Sequence, residues 1–208
     1  MQRRIDEPEQ AIRELTLMLE DGRFRSRSAT LYGISLAQLR AKRFDDAAGT
    51  LDTLLKEHPD TLEFIVTRSE IDRAKDRPEE ALSRLTRALA SQPGSYAINI
   101  ALAETALAAG KPAVALNTLE DFLSYQQDEP KVYQLMSQAA GQLDQQARGH
   151  EYMAEYYYAL GQSKRAALQI EIALEQPGLD FFDSSRLESR LAEINAELEE
   201  TDGRQRKR

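Results

Sequence analysis

Residues 44–59, FDDAAGTLDTLLKEHP, share a pattern with residues 78–93, PEEALSRLTRALASQP, and with residues 112–127, PAVALNTLEDFLSYQQ. Each stretch starts 34 residues after the one before it and places an alanine at the same phase: Ala47, Ala81 and Ala115. A leucine follows four positions later in each, Leu51, Leu85 and Leu119, so both residues fall on one helix face. A period of 34 with a small residue at one phase marks the tetratricopeptide helix-turn-helix repeat, in which that residue lets two helices approach closely. The fold class expected is therefore all-α: a TPR-like α-solenoid of antiparallel helix pairs.

Composition agrees with this class. The chain has 208 residues, 41% hydrophobic and 30% charged, the balance of a chain that buries a core. A formal net charge of -8 argues against nucleic acid as a partner, because that affinity rests on Lys and Arg neutralising phosphates. The basic tail Arg204, Arg206, Lys207 and Arg208 is the one concentrated exception and reads as a solvated terminus. No apolar run is long enough for membrane insertion, and Met1 to Glu9 is too charged for a signal peptide. The chain contains no cysteine, which removes disulfides and thiolate chemistry.

Working outward from the three stretches, residues 25–127 make three repeats. The second departs from the others, since the shared phase puts Arg68 and Asp72 where its neighbours carry packing residues. Two readings are open there. The helix is rotated so that Ile65, Val66 and Ile71 pack instead, or Arg68 and Asp72 form a partly buried i, i+4 pair. Before the repeats, Ala11, Leu15 and Met18 match the phases of Ala47, Leu51 and Leu54. Residues 1–24 are thus expected to hold the second helix of a repeat whose first helix is missing, with Pro8 in its first turn, and the chain reads as part of a longer one.

After residue 127 the period breaks. The next strong match places Gly161 at the turn and Ala166 at the small position, one and a half periods beyond Ala115, yet Gly149 falls one whole period beyond it. Residues 128–180 are expected to form one and a half repeats that share the helix 145–160, giving a half-repeat phase shift. Residues 181–202 read as a C-terminal capping helix with Asp183 or Ser184 as N-cap, a polar outer face, and Phe181 and Phe182 anchoring its connection. Residues 203–208 read as a disordered basic tail.

Chemistry is sparse. His150-Glu151-Tyr152-Met153-Ala154 nearly matches the zinc motif His-Glu-x-x-His, but Ala154 stands where the second ligand must be. His58, before Pro59, reads as a solvated turn residue. No phosphate loop or nucleophile elbow is present, so no catalytic residue, metal site or cofactor is expected. Binding remains. First helices of such repeats line a concave surface, and by phase the inward residues are Tyr32, Leu36, Val66, Glu70, Ile100, Glu104, Glu151, Glu155 and Tyr158. This mixture of apolar and acidic groups suits a peptide or unfolded segment of another protein and opposes a carboxylate clamp. Reversing the charge of Glu104 and Glu155 is expected to alter partner capture and leave the fold intact. Ala47, Ala81, Ala115, Gly149 and Ala166 are expected to serve packing.

Several strings resemble one family. They are Asp21-Gly22-Arg23, Leu31-Tyr32-Gly33-Ile34, Glu70-Ile71-Asp72, His150-Glu151 through Tyr156-Tyr157, Leu168 to Leu174, and Ser185-Arg186-Leu187-Glu188-Ser189-Arg190-Leu191. Together they resemble the C-terminal repeat region of the BepA-type, beta-barrel assembly-enhancing zinc metalloproteases. The resemblance implies a periplasmic region that packs on its own protease domain and engages outer-membrane assembly machinery and stalled barrel substrates. It also implies that zinc belongs to an N-terminal protease domain lying outside this sequence. The alternative is a free-standing cytoplasmic scaffold or assembly chaperone of the same repeat type. The phase assignment has its own test: Ala115→Leu should overpack the closest helix contact and lower stability by about 1–3 kcal/mol in a urea titration. An unchanged midpoint would remove it.

Overall fold

The computed structural model describes residues 3–125 and 129–205 and contains eleven α-helices among them. The chain is an all-α TPR-like solenoid, divided into two compact units, Met1–Ala109 and Gly110–Arg208. The division falls inside the third repeat.

The first unit holds α1 (Arg3–Glu20), α2 (Arg27–Arg40), α3 (Phe44–Glu57), α4 (Leu62–Ala74), α5 (Pro78–Ser91) and α6 (Tyr96–Ala108). Each helix packs on the next, and α4 also packs on α6. Ala47, Leu51, Leu54, Ala81 and Leu85 have no exposed surface. On α1 the equivalent phases are less covered. Ala11 and Leu15 are half-buried and Met18 is 38% exposed, while the neighbouring Ile12 is the buried residue. Helix α1 also begins five residues before Pro8, so the proline lies inside it and not in its first turn. The missing N–H costs only the bond to the carbonyl of Arg4, next to an end where carbonyls and amides fray in any case.

The second unit holds α7 (Pro112–Leu123), α8 (Pro130–Gln142), α9 (Gln146–Ala159), α10 (Ser163–Leu174) and α11 (Phe181–Gln205). Helix α9 packs on both α8 and α10. Ala115, Leu119, Ala139, Ala140, Ala154, Ala166 and Ile170 have no exposed surface. Gly149 is half-exposed and faces α8, where an added Cβ would meet the Ser137 carbonyl oxygen at 3.6 Å and the Ala140 Cβ at 3.9 Å.

A second ladder lies in the backbone. Lys42, Asp76, Gly110 and Asp144 recur every 34 residues with φ of 59°, 57°, 66° and 60°. Gly161 and Gly178, at 70° and 86°, then follow at steps of half that length. Around Lys42, Asp76, Asp144 and Gly161 the chain closes with paired Schellman bonds, as in Arg43 N–H to Gln38 O at 2.8 Å and Gln162 N–H to Tyr157 O at 2.9 Å. Helix α9 therefore sits between two copies of the same turn. It follows one as a second helix does and precedes the other as a first helix does.

Helix α11 starts earlier than expected. The side chain of Asp180, and not Asp183 or Ser184, caps it by accepting the Asp183 N–H at 2.8 Å. Phe181 and Phe182 do not anchor the connection. They are 78% and 80% exposed and touch each other edge-on at 5.9 Å. The anchor is supplied by Leu179, Leu187 and Ile194, which join Ala166 and Ile170 in one cluster. The helix continues to Gln205, into the segment expected as tail, and residues 206–208 lie outside the described residues.

At the irregular second repeat, both readings of α4 meet. Ile65 and Ile71 are buried, and so are Arg68 at 8% and Asp72 at 1% exposure. Arg68 pairs with Asp72 and donates from Nε to Asp52 Oδ1 at 2.7 Å. Asp72 also accepts from Arg84 Nη2 at 3.1 Å, and Arg77 Nη2 lies 3.8 Å away. Burial disfavours the charged Arg68 guanidinium, but the hydrogen bonds it donates to Asp52 and Asp72, with their negative charge, outweigh it and raise its pKa. Three arginines thus converge on one enclosed carboxylate. Removing that carboxylate leaves the buried Arg68 with Asp52 alone and the partly buried Arg84 without its carboxylate, so Asp72→Ala is expected to cost about 3 kcal/mol. Asp52, whose side chain is 48% exposed, is expected to cost less than about 1 kcal/mol in the same substitution. Chemical denaturation of the two variants checks the contrast.

Candidate protein-binding faces

In the first unit the candidate residues sit on α2, α4 and α6. Val66, Glu70 and Glu104 line one cleft of about 170 Å3, together with Ser69, Arg73, Ala101 and Thr105. Arg73 Nη1 donates to Glu104 Oε2 at 3.3 Å, which fastens α4 to α6 beneath the cleft. Glu70 is exposed, and Ile100 is half-buried one position before Ala101. The Tyr32 hydroxyl lies 3.0 Å from Thr67 Oγ1 and its ring is 5.1 Å from Phe64, so α2 is tied to α4 beside Val66. Leu36 is elsewhere. It lines a groove of about 560 Å3 between α1 and α2, floored by Ala11, Leu15 and Gly33. Gly33 makes a close contact there: an added Cβ would meet Leu15 Cδ1 at 3.2 Å, and the leucine would have to shift by a few tenths of an ångström.

In the second unit the three candidate residues are already occupied. Glu151 pairs with Arg186 of α11. Glu155 accepts from Arg190 Nε at 2.8 Å and Nη2 at 2.9 Å, a two-pronged contact. Tyr158 donates to Glu197 at 2.8 Å, and the Arg190 guanidinium lies 4.3 Å over the Tyr158 ring. The hydrogen bond to Glu155 raises the pKa of Arg190 despite partial burial. These residues hold α11 and offer little free surface. A signal for this exists in the sequence: Glu151 and Glu155 are spaced by four, as are Arg186 and Arg190, and each acid stands 35 residues before its base. Like spacing on two helices lets both pairs close together.

The rest of the tyrosine-rich helix is similarly engaged. Tyr152 donates to Glu120 at 3.0 Å and accepts from Arg148 at 2.7 Å. Burial pushes the Tyr152 phenol up to about 12, with Arg148 opposing and Glu120 adding to the rise. No zinc fit is found at the near-motif. His150 Nδ1 is 2.9 Å from Gln169 Oε1, and Ala154 has no exposed surface. Among the described residues, no group of three or more His, Cys, Asp or Glu is placed to hold a metal ion. His58 is exposed but partnered, with Nε2 3.0 Å from Ser28 Oγ and its ring 6.3 Å from Phe64.

The position of Glu155 changes what its substitution should do. Glu155→Lys is expected to loosen α11 and lower stability by about 1–2 kcal/mol. Hydrogen exchange along α11 should rise with it, and the exchanged pair Glu155→Arg with Arg190→Glu should restore protection. Unchanged exchange in the single variant would show that α11 docks without this pair.

Comparison with known proteins agrees with this architecture. Tetratricopeptide-repeat family models match residues 29–61 and 73–139. The beta-barrel assembly-enhancing protease of Escherichia coli (strain K12) is 26% identical over 175 residues, covering 83% of this chain and 35% of that protein. The protein of the same name from Yersinia pestis is 27% identical over 126 residues, covering 61% of this chain and 26% of that protein. The chain thus spans about a third of the length of such relatives, or less. Among solved structures, a MamA RS-1 double mutant superimposes with a TM-score of 0.61 at 17% identity, covering 77% of this chain and 90% of that one. A tetratricopeptide repeat protein from Parabacteroides merdae gives 0.58 at 15% identity, covering 92% and 80%. At such identities the structural likeness concerns the fold alone. The chain has a TPR-like fold, carries tetratricopeptide-repeat matches over residues 29–61 and 73–139, and is similar in sequence to part of the beta-barrel assembly-enhancing proteases.

Proposed function

We infer that this chain is a non-catalytic substrate or adaptor region, acting with a zinc protease domain in the periplasm during outer-membrane protein assembly and quality control. Tetratricopeptide repeats act in protein-protein interaction, and that general role follows from the fold. The finer reading rests on one observation, the 26% identity to a beta-barrel assembly-enhancing protease across 83% of this chain. Its partners would be unfolded barrel segments, the assembly machinery and its own protease domain, and zinc would reside in that domain.

A face that can receive such a segment is the α4/α6 cleft in the first unit, where three of the candidate residues meet. Val66 and Ala101 offer apolar contact there, half-buried Ile100 lies one position before Ala101, and Glu70 leaves an exposed acid at the edge. An extended segment rich in apolar residues, with Lys or Arg between them, suits this lining.

A photo-crosslinking residue placed at Val66 or Ile100 should capture an unfolded outer-membrane barrel protein, whereas one at Glu188 on the exposed side of α11 should not. Glu70→Lys should weaken the capture several-fold without changing the thermal midpoint. Equal labelling from all three positions would sink the cleft assignment, and no labelling from any would sink the substrate role.

A further inference from the structure

A second cleft in the first unit has a different chemistry. It holds about 330 Å3 and lies where the end of α3, the start of α4 and the second half of α5 meet. Its apolar lining includes Leu55, Leu62 and Ile65, and two arginines of α5, Arg84 and Arg87, enter it. Arg87 is exposed, with no hydrogen-bond or ion-pair partner among the described residues. Arg84 spends one nitrogen on Asp72, but its buried Nε–H has no acceptor.

Three further facts make this corner electropositive within an acidic protein. The network behind the cleft joins Arg68, Arg77 and Arg84 to Asp52 and Asp72, which leaves one positive charge uncompensated. The Nε–H of Arg77 also lacks an acceptor. Helix α4 begins at the cleft, at Leu62, and Thr61 makes no side-chain cap there, so the amides of Leu62 and Glu63 add to the positive potential, with the exposed Glu63 carboxylate opposing it. Asp60 is the one carboxylate among the residues lining the cleft, and it is exposed.

We propose that this cleft binds an acidic peptide segment, specifically an internal Asp or Glu side chain flanked by large aliphatic residues. The carboxylate pairs with Arg87 and takes up part of the surplus charge around Arg84, and the flanking side chains cover Leu55, Leu62 and Ile65. Carboxylate and guanidinium match in geometry as well as in charge, which is why arginine serves such recognition better than lysine. Asp60 opposes the ligand and keeps the affinity modest. This site shares no residue with the α4/α6 cleft, so it stands or falls apart from the proposed function.

The test uses the full chain, labelled with nitrogen-15, and a Gly-Leu-Glu-Leu-Gly peptide blocked at both ends. Amide shifts are expected to move around residues 55, 62 and 84–92, and the same peptide with Gln in place of Glu should bind roughly tenfold more weakly or worse. Arg87→Glu, at an exposed position that leaves the fold unchanged by circular dichroism, should weaken binding by a similar factor. Asp60→Asn should tighten it roughly two- to fivefold. The proposal is overturned if the Glu peptide moves no amides in the cleft, if the Gln peptide binds equally, or if Arg87→Glu changes nothing. It is also overturned if inorganic phosphate alone, or a Gly-Leu-Leu peptide with a free terminal carboxylate, reproduces the shifts as strongly.

Discussion

Two helices can approach only as closely as the side chains between them permit, and the rest of this structure depends on where that approach is allowed. Ala47, Ala81, Ala115 and Ala166 are fully enclosed, and the leucines or isoleucine four residues later, Leu51, Leu85, Leu119 and Ile170, are enclosed with them. A methyl group there lets the neighbouring helix come near, and the long residue one turn on fills the space beyond. No helix pair in such a stack closes its own core, so every pair depends on the next. The half-covered Ala11 and Leu15 of α1 and the enclosed Ala47 and Leu51 of α3 show what covering by a neighbour adds at the same phase.

Backbone geometry sets the second constraint. The left-handed residues at 42, 76, 110 and 144 keep the period even where side chains hide it, because only one of the four is glycine. Lys42, Asp76 and Asp144 hold a conformation that disfavours a Cβ, and their Schellman bonds compensate by satisfying carbonyls at the helix end. When the step halves at Gly161 and Gly178, one helix, α9, serves both as successor and as predecessor. Its small residues point both ways: Gly149 faces α8, while Ala154 belongs to the cluster with Ala166 and Ile170.

Charge is used in two distinct ways. Around Asp72 it is enclosed, with three arginines in reach and donors left over, an arrangement that fixes one register of α4 at a cost in stability. Along α9 and α11 it lies at the surface, where Glu155 and Arg190 form a two-pronged contact and Tyr158 accepts the cation over its ring. The first use leaves an electropositive corner beside α5. The second consumes Glu151 and Glu155, while in the α4/α6 cleft of the first unit Glu104 is paired with Arg73 and Glu70 is exposed.

Periodicity by itself determined the repeat and the packing phase, because burial at a fixed helical interval leaves a pattern that a linear string preserves. The candidate faces were legible only as a phase. Val66, Glu70 and Glu104 do meet in one cleft, but Leu36 lies in another groove and Glu151, Glu155 and Tyr158 are taken by α11. The tertiary structure alone decided which of these carboxylates finds a base, since that depends on a helix 35 residues away and on the rotation of its side chains. It also decided that Phe181 and Phe182 face outward, that Asp180 caps α11, and that Arg68 is buried. A pairing between distant charges is set by distance and direction in space, and the matched spacing of Glu151 and Glu155 with Arg186 and Arg190 signals the pairing without fixing either quantity.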